Sequence, residues 1–310
     1  TKTVHTAIAL PHQRKPPVNT RPATPLEPAA TVVNPQSFRD LVSGRRRGLG
    51  AMLCRGLLRT IESPYALAVR WRNRRYDRGR AASFRVEVPV ICVGNLTLGG
   101  TGKTPTVEWI ARWLRGRGYR VTLVSRGYGA SEGARNDEAL ELEQKLPDVP
   151  HLQNPDRVHA ARTAIEEFEA EVILLDDGFQ HRRLQRDLDI VLIDALEPFG
   201  FGHVFPRGML REPLTGLRRA QVVMLSRADL VSSDVRAGIW QQVTKAAPAA
   251  AHVEAAHRPK NLLSFSGKEQ LLESLRDQPL AAFCGIGNPD GFRRTLENLG
   301  HTLAHRQALP

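Results

Sequence analysis

A glycine-rich loop between a predicted strand and a predicted helix constrains the fold of this chain most strongly. The segment "ICVGNLTLGGTGKTPTVEWI" (residues 91–110) begins in a β-branched apolar run and ends with apolar residues at helical spacing. This strand–loop–helix context is that of a phosphate-binding loop, G-x-x-x-x-G-K-[ST]. Thr97 stands where that pattern begins with glycine. We expect Thr97 to keep a negative φ, while Gly99 and Gly100 adopt the unusual dihedral angles.

The loop residues have predicted roles in binding a nucleotide. Lys103 should reach the β- and γ-phosphates, and the hydroxyl of Thr104 is a predicted Mg²⁺ ligand. The alternative is a chance glycine-rich turn before Lys-Thr, which the flanking strand and helix disfavour. The predicted nucleotide contacts are Thr97, Leu98, Gly99, Gly100, Thr101, Gly102, Lys103 and Thr104.

Apolar strands alternate with helices along most of the chain. Continuous apolar runs are typical of strands buried on both faces, so we predict an α/β fold with a mostly parallel sheet covered by helices on both faces. The predicted strands span residues 85–94, 120–127, 171–178, 188–195, 220–229 and 279–287, and the predicted helices 103–117, 137–146 and 155–169.

The segment before the sheet is basic. Residues 39–85 carry thirteen Arg and three acidic residues, whereas residues 86–310 carry 27 basic and 28 acidic residues. Leu57 and Ile61 recur at helical spacing there, but charges and Pro64 interrupt every window long enough to span a bilayer. Two interpretations stay open: a helix at an anionic membrane interface, and a helix packed on the domain with a solvated Arg face. No zinc-finger or RRM signature accompanies the arginines, so no nucleic-acid partner is predicted.

The rest of the composition sets the domain organisation and the compartment. Seven of the 21 prolines fall within residues 1–36, without helical or strand periodicity, which predicts a disordered extension. Three isolated cysteines favour a reducing, cytosolic location without structural zinc or disulfides. The predicted segments are the extension 1–36, the basic amphipathic segment 37–84, the P-loop core 85–250 and a smaller C-terminal lobe 251–310.

Polar residues follow several predicted strands. "VILLDDGFQH" places Asp176 and Asp177 at a strand's carboxyl end, where a P-loop needs a carboxylate for its metal. Capping and solvation of the two carboxylates is the alternative. Asp194 ends the next strand, and the SRAD loop (residues 226–229) resembles a GTPase base-reading loop with Arg in place of Lys.

Arginines at other strand ends and loops are candidate phosphate contacts. Arg126 follows a strand in "SRGYG", and Arg207 and Arg211 lie in the aperiodic loop "FPRGMLREPL". The guanidinium fork suits phosphate oxygens. A surface charge is the plain alternative for each.

Together these segments resemble one family, the tetraacyldisaccharide 4′-kinases (lipid A 4′-kinases). The resemblance spans residues 37–300 and rests on "VGNLTLGGTGKTP", "VSRGYG", "LLDDGFQHRRLQRDLDIVLIDA", "FGFGHVFPRGMLREPL" and "FCGIGNPDGF". It implies a P-loop core with a smaller second lobe, ATP and Mg²⁺, and phosphorylation of the 4′-hydroxyl of an acylated glucosamine disaccharide 1-phosphate. It also implies a helix on the cytoplasmic membrane face, with anionic lipid as partner of the arginines. We expect a monomer.

The resemblance also assigns site residues. The family's G-D-E-P stretch matches "NDEA" here, which makes Asp137 the base that accepts the 4′-OH proton, and Asn288 stands where some members carry a histidine. The implied catalytic residues are Asp137, Lys103, Arg157, Asp177 and His181. The implied metal ligands are Thr104, Asp176 and Glu138, and the implied substrate contacts are Arg126, Gln180 and Arg211. The alternative function is a membrane-associated P-loop GTPase-type switch that selects guanine through Asp229.

Overall fold

The computed structural model describes residues 35–127, 137–275, 278–284 and 289–308, and for Asp137 and Glu138 it describes the backbone alone. Its centre is a seven-stranded sheet of order β3-β2-β4-β1-β5-β6-β7, in which all neighbouring strands are parallel. The strands are β1 Val90–Asn95, β2 Val121–Ser125, β3 His151–Gln153, β4 Val172–Asp176, β5 Leu188–Asp194, β6 Val222–Ser226 and β7 Ala251–Ala255. The predicted fold class is confirmed.

Helices cover both faces of this sheet, because successive strand residues point to opposite sides. Leu192 packs with one pair of helices, α3 (Lys103–Arg115) and α4 (Asp137–Lys145). Val191 and Ile193 pack with the other pair, α5 (Arg157–Phe168) and α6 (Ser233–Ala246). The three helices predicted from the sequence are α3, α4 and α5, within two residues at each end.

The chain beyond the sheet forms smaller elements. An antiparallel pair joins β8 (Asn261–Leu263) to β9 (Glu269–Leu271), and a parallel pair joins β10 (Pro279–Cys284) to β11 (Thr302–Ala308) around α7 (Pro289–Asn298). The predicted division at residue 250 falls just before β7, whose five residues pair with β6 in the large sheet. The large sheet therefore extends past that division, and the domain boundaries stay a prediction.

Two helices precede the sheet, α1 (Pro35–Val42) and the 29-residue α2 (Leu49–Asp77), which continues through Pro64. Much of the apolar surface of α2 faces solvent: Leu49, Met52, Leu53, Leu57, Ile61, Leu67 and Trp71 are exposed. Charged side chains recur along it, and no helix in the described ranges is long and apolar enough to cross a membrane.

The opposite side of α2 is fastened to the long segment between β5 and β6. The Glu62 carboxylate lies 3.1 Å from His203 Nδ1 and accepts from the Val204 N–H at 2.8 Å. The Tyr65 hydroxyl donates to the Arg211 carbonyl at 3.2 Å, and Asn73 Nδ2 donates to Glu212 at 2.8 Å. This segment, residues 203–219, links α2 to the phosphate loop.

Candidate active site

The glycine-rich loop between β1 and α3 has the backbone of an anion-binding loop. Gly99 and Gly102 have φ of 115° and 89°, conformations that favour glycine. Thr97 is not among the described residues with positive φ, as predicted. The prediction for Gly100 was wrong, because Gly102 instead of Gly100 takes the second positive φ. Gly102 stands immediately before α3 and turns the chain into the helix, so the helix N-terminus faces the loop's concave side.

Pairing with the 203–219 segment explains why threonine is tolerated at position 97. Thr97 forms an antiparallel bridge with Leu210. The flanking hydrogen bonds run from the Leu98 N–H to the Met209 carbonyl and from the Arg211 N–H to the Leu96 carbonyl, each 2.7 Å. An extended residue held in this way needs no glycine. The first half of the loop is thus a short strand, and the bend begins at Gly99.

Lys103, Asp177 and Arg211 form the charged centre of the site. Asp177 lies just beyond the carboxyl end of β4, and both its carboxylate oxygens accept from Arg211 Nη1 at 2.8 Å. Lys103 Nζ, the first side chain of α3, is 3.7 Å from Asp177 Oδ1. Burial raises the pKa of Asp177, but Lys103 and Arg211 outweigh that effect and hold the pKa below its usual value. Asp177 is therefore ionised at neutral pH.

Two of the three predicted metal ligands, Thr104 and Asp176, lie at the same edge of the sheet. Asp176 is buried at the end of β4, which pairs with β1 from Val90 to Val93. Thr104 is half-buried in the first turn of α3. A carboxylate and a hydroxyl are hard oxygen donors, which suit a Mg²⁺ ion that keeps several waters and shares phosphate oxygens. The donor chemistry fits the ion.

Arg157 begins α5 and lies in the same charged neighbourhood. Its side chain is buried, and Nη1 donates to the Pro155 carbonyl at 3.3 Å. Burial and the nearby Arg126 lower its pKa, while Asp177 and Asp176 raise it. The fold therefore places Arg157 within electrostatic reach of Arg126 and the two aspartates, which follow two neighbouring strands.

His181 follows the acidic pair in "DDGFQH" and is held neutral. Burial, together with the Arg157 and Arg183 cations, lowers its pKa from 6.5 to about 4, and Asp156 opposes them. Its buried Nε2 has no hydrogen-bond partner within the part of the chain that the structure describes. The His181 side chain is therefore an uncharged imidazole at neutral pH.

The low pKa of His181 makes stability depend on pH. Between pH 6.5 and 4 the unfolded chain binds a proton that the folded chain does not, so the free energy of unfolding falls as pH falls through that window. We expect His181→Gln to remove this component. Chemical denaturation at pH 7 and pH 5 measures it, and an equal loss of stability in both proteins would contradict the assignment.

Gln180 joins the site to a buried cluster that the sequence did not reveal. Its Nε2 donates to the Asn95 carbonyl at 2.9 Å and to Glu212 Oε1 at 3.2 Å. Glu212 is fully buried and accepts from Arg219 through two hydrogen bonds of 2.9 and 2.8 Å. Asn73 of α2 donates to the same carboxylate. We call Asn73, Gln180, Glu212 and Arg219 the Glu212 cluster.

The placement of other predicted residues does not define their role at the site. Arg126 is exposed at the end of β2, and Asp229 is exposed after β6. Asn288 and the side chains of Asp137 and Glu138 lie outside the described residues, although the backbone of both acids begins α4. The roles assigned to all of these residues, and to Gln180 and Arg211 toward a substrate, stay predictions.

Comparison with known proteins agrees with this geometry. The family described as tetraacyldisaccharide-1-P 4′-kinase (LpxK) matches residues 54–310. A tetraacyldisaccharide 4′-kinase of Anaeromyxobacter sp. (strain K) is 44% identical over 84% of this chain and 73% of its own length. One of Syntrophus aciditrophicus is 39% identical over 82% of this chain and 74% of its own length.

A solved structure shows the same fold. The crystal structure of LpxK from Aquifex aeolicus in complex with ATP superposes with a TM-score of 0.65 at 30% identity, covering 83% of this chain and 82% of that one. The fold of this chain thus recurs in a relative crystallised with ATP. This chain belongs to the tetraacyldisaccharide-1-P 4′-kinase family.

Proposed function

We propose that this protein is an ATP-dependent kinase that phosphorylates the 4′-hydroxyl of a tetraacylated glucosamine disaccharide 1-phosphate. The observation that carries the proposal is the phosphate loop with Lys103 beside the Arg211–Asp177 pair, in a chain that matches the family over residues 54–310. Relatives that cover most of the chain bear the name of this activity. Arg227 of the SRAD loop is engaged with Asp194, which disfavours the GTPase alternative.

The charged centre supports phosphoryl transfer. Such reactions depend on positioning and on neutralising charge at the transferred phosphate. Lys103 supplies a cation at the mouth of the loop, and ionised Asp177 fixes its position together with Arg211. Arg157 adds a second buried cation beside the aspartates. We assign Asp137 to accept the proton of the 4′-hydroxyl, and His181 to a neutral hydrogen-bonding role.

Mg²⁺ is part of this proposal. Asp176 and the Thr104 hydroxyl would hold it, with Glu138 acting through a metal-bound water. When bound, the ion supplies positive charge for the β- and γ-phosphate oxygens. Within the described residues no three His, Cys, Asp or Glu side chains are grouped to hold a metal ion. A nucleotide site needs no such cage, since phosphates and waters complete the coordination of Mg²⁺.

We further propose that α2 places the enzyme on the cytoplasmic face of the inner membrane. Its exposed leucines and Trp71 would enter the lipid interface, while Arg70 and Arg74 would meet anionic headgroups. An acylated substrate enters from such a surface. We infer a monomer with no nucleic-acid partner.

Transfer of label from γ-³²P-ATP to the tetraacylated disaccharide 1-phosphate in detergent tests the proposed function. We expect a labelled lipid with the wild-type protein. In the same assay Asp137→Ala should lower turnover by a factor on the order of 10²–10⁴, the usual contribution of a general base, while ATP affinity changes little. Folded wild-type protein that binds ATP but labels no lipid would contradict the kinase proposal. Near-full turnover of Asp137→Ala would contradict only the base assignment.

A further inference from the structure

The SRAD loop at the end of β6 contacts the backbone of the phosphate loop. The Ser226 hydroxyl is buried and donates to the Thr101 carbonyl at 2.7 Å. Arg227 donates to the Gly100 carbonyl from both Nη1 and Nη2 at 3.3 Å. Two consecutive carbonyls of the phosphate loop are thus held by two consecutive residues of β6 and its loop.

Arg227 is itself held in place by charge. Nη1 pairs with Asp194 Oδ2 at 2.6 Å, at the carboxyl end of the neighbouring strand β5. Its backbone has φ 56° and ψ 32°, a left-handed conformation that costs a residue with a side chain on the order of 1 kcal/mol or more. Such a conformation persists where surrounding contacts enforce it. Here it directs the guanidinium back across the sheet edge toward the loop.

The direction of these carbonyls decides where the loop's N–H groups point. In a trans peptide the C=O and the following N–H point in opposite directions. Holding the Gly100 and Thr101 carbonyls toward β6 therefore turns the N–H groups of Thr101 and Gly102 to the other side of the loop. Neither N–H group donates to another atom of the described part of the chain.

On this basis we propose that Ser226 and Arg227 are positioning residues for the nucleotide phosphates, and we call them the carbonyl clamp. They fix two peptide planes so that the N–H groups of Thr101 and Gly102 converge on the phosphates of ATP. This proposal rests on the part of the proposed function that makes ATP the nucleotide bound at the loop. The clamp acts through the loop backbone, so it should affect ATP and leave the lipid unaffected.

Ser226→Ala and Arg227→Lys test the clamp. Arg227→Lys keeps the charge beside Asp194 but loses the fork to the Gly100 carbonyl. Each variant should raise the Kd for ATP, titrated without lipid, by roughly 3- to 10-fold, the effect of one lost hydrogen bond. The KM for the lipid should stay within about twofold. Ser226→Thr, which retains the hydroxyl, should restore most of the affinity for ATP.

Exposed residues of the same types provide the controls. Ser233→Ala and Arg85→Lys should leave the Kd for ATP unchanged, because both side chains are exposed and make no contact with the loop. Unchanged ATP affinity in both clamp variants would overturn the clamp. The clamp would also be overturned if the variants bound ATP more weakly, had a higher KM for the lipid and had a lower Tm without nucleotide. Such a joint effect indicates general destabilisation. Wild-type protein that binds ATP but labels no lipid would contradict the kinase proposal and leave the clamp test readable.

Discussion

Lys103→Ala should lower kcat/KM by a factor on the order of 10³ and also weaken ATP binding. Lys103 is the first residue of α3, where the loop would hold the β- and γ-phosphates, and its Nζ lies 3.7 Å from Asp177 Oδ1. Removing one preorganised group that stabilises transition-state charge costs about 10²–10³ in rate, and loss of ground-state contacts to ATP adds to it. Single-turnover transfer at saturating ATP and a separate ATP titration would measure the two effects.

A lysine far from the loop provides the matched control for this substitution. Lys268 is exposed in the turn between β8 and β9, and its backbone N–H donates to the Ser264 hydroxyl. Lys268→Ala should leave both turnover and ATP affinity unchanged. If Lys103→Ala kept turnover within tenfold of the wild type while Lys268→Ala behaved as expected, the loop would not be the nucleotide site.

Much of the site follows from the sequence because parallel strands end at one edge. The apolar runs before Lys103, Asp176 and Asp194 identify buried strands, and the carboxyl ends of parallel strands meet at the same edge of the sheet. The predicted strands and helices lie within five residues of their predicted ends, because hydrophobic periodicity is a local signal, whereas β3, β7 and α6 were not predicted. Local signals sufficed to place the phosphate loop beside the acidic pair.

The contacts that complete the site could not be predicted, since they join residues distant in sequence. Arg211 reaches Asp177 across 34 positions, and Asn73 reaches Glu212 across 139. Both depend on how the aperiodic 203–219 segment packs, for which no periodic pattern exists. The neutral state of His181 depends likewise on burial and on Arg157. The positive φ of Gly102, instead of Gly100, could not be read from the glycine pattern either.

The Glu212 cluster joins α2 and the phosphate loop through one carboxylate. Asn73 of α2 donates a hydrogen bond to the Glu212 carboxylate. Gln180 donates both to that carboxylate and to the Asn95 carbonyl at the end of β1. The Arg219 guanidinium, which neutralises the charge, lies 4.3 Å from the centre of the Phe179 ring. Phe179 in turn packs on Gly94 of β1. A Cβ atom at position 94 would lie 2.6 Å from the Cβ of Phe179, so only glycine fits there. One buried ion pair thus supports the helix, the acidic motif and the loop.

Glu212→Ala should therefore destabilise the protein strongly. Removing one member of a buried ion pair leaves the other charge unpaired and costs about 3–5 kcal/mol. For a chain of this size that corresponds to a Tm lower by roughly 5–8 °C. Thermal unfolding measures it. Glu297→Ala is the control, because Glu297 pairs with Arg293 on the exposed surface of α7 and such a pair contributes about 0.5 kcal/mol or less.

A double variant separates the stability of the cluster from its effect on the site. Replacing Glu212 and Arg219 together by methionine removes both charges, and apolar replacements of a buried pair often recover the lost stability. The double variant should regain part of the Tm, because Asn73 and Gln180 still lose an acceptor, and its ATP-dependent turnover should stay below the wild type. Gln180 would lack its second acceptor and hold the Asn95 carbonyl less firmly. If turnover recovered with the Tm, the cluster would stabilise the fold without orienting the phosphate loop.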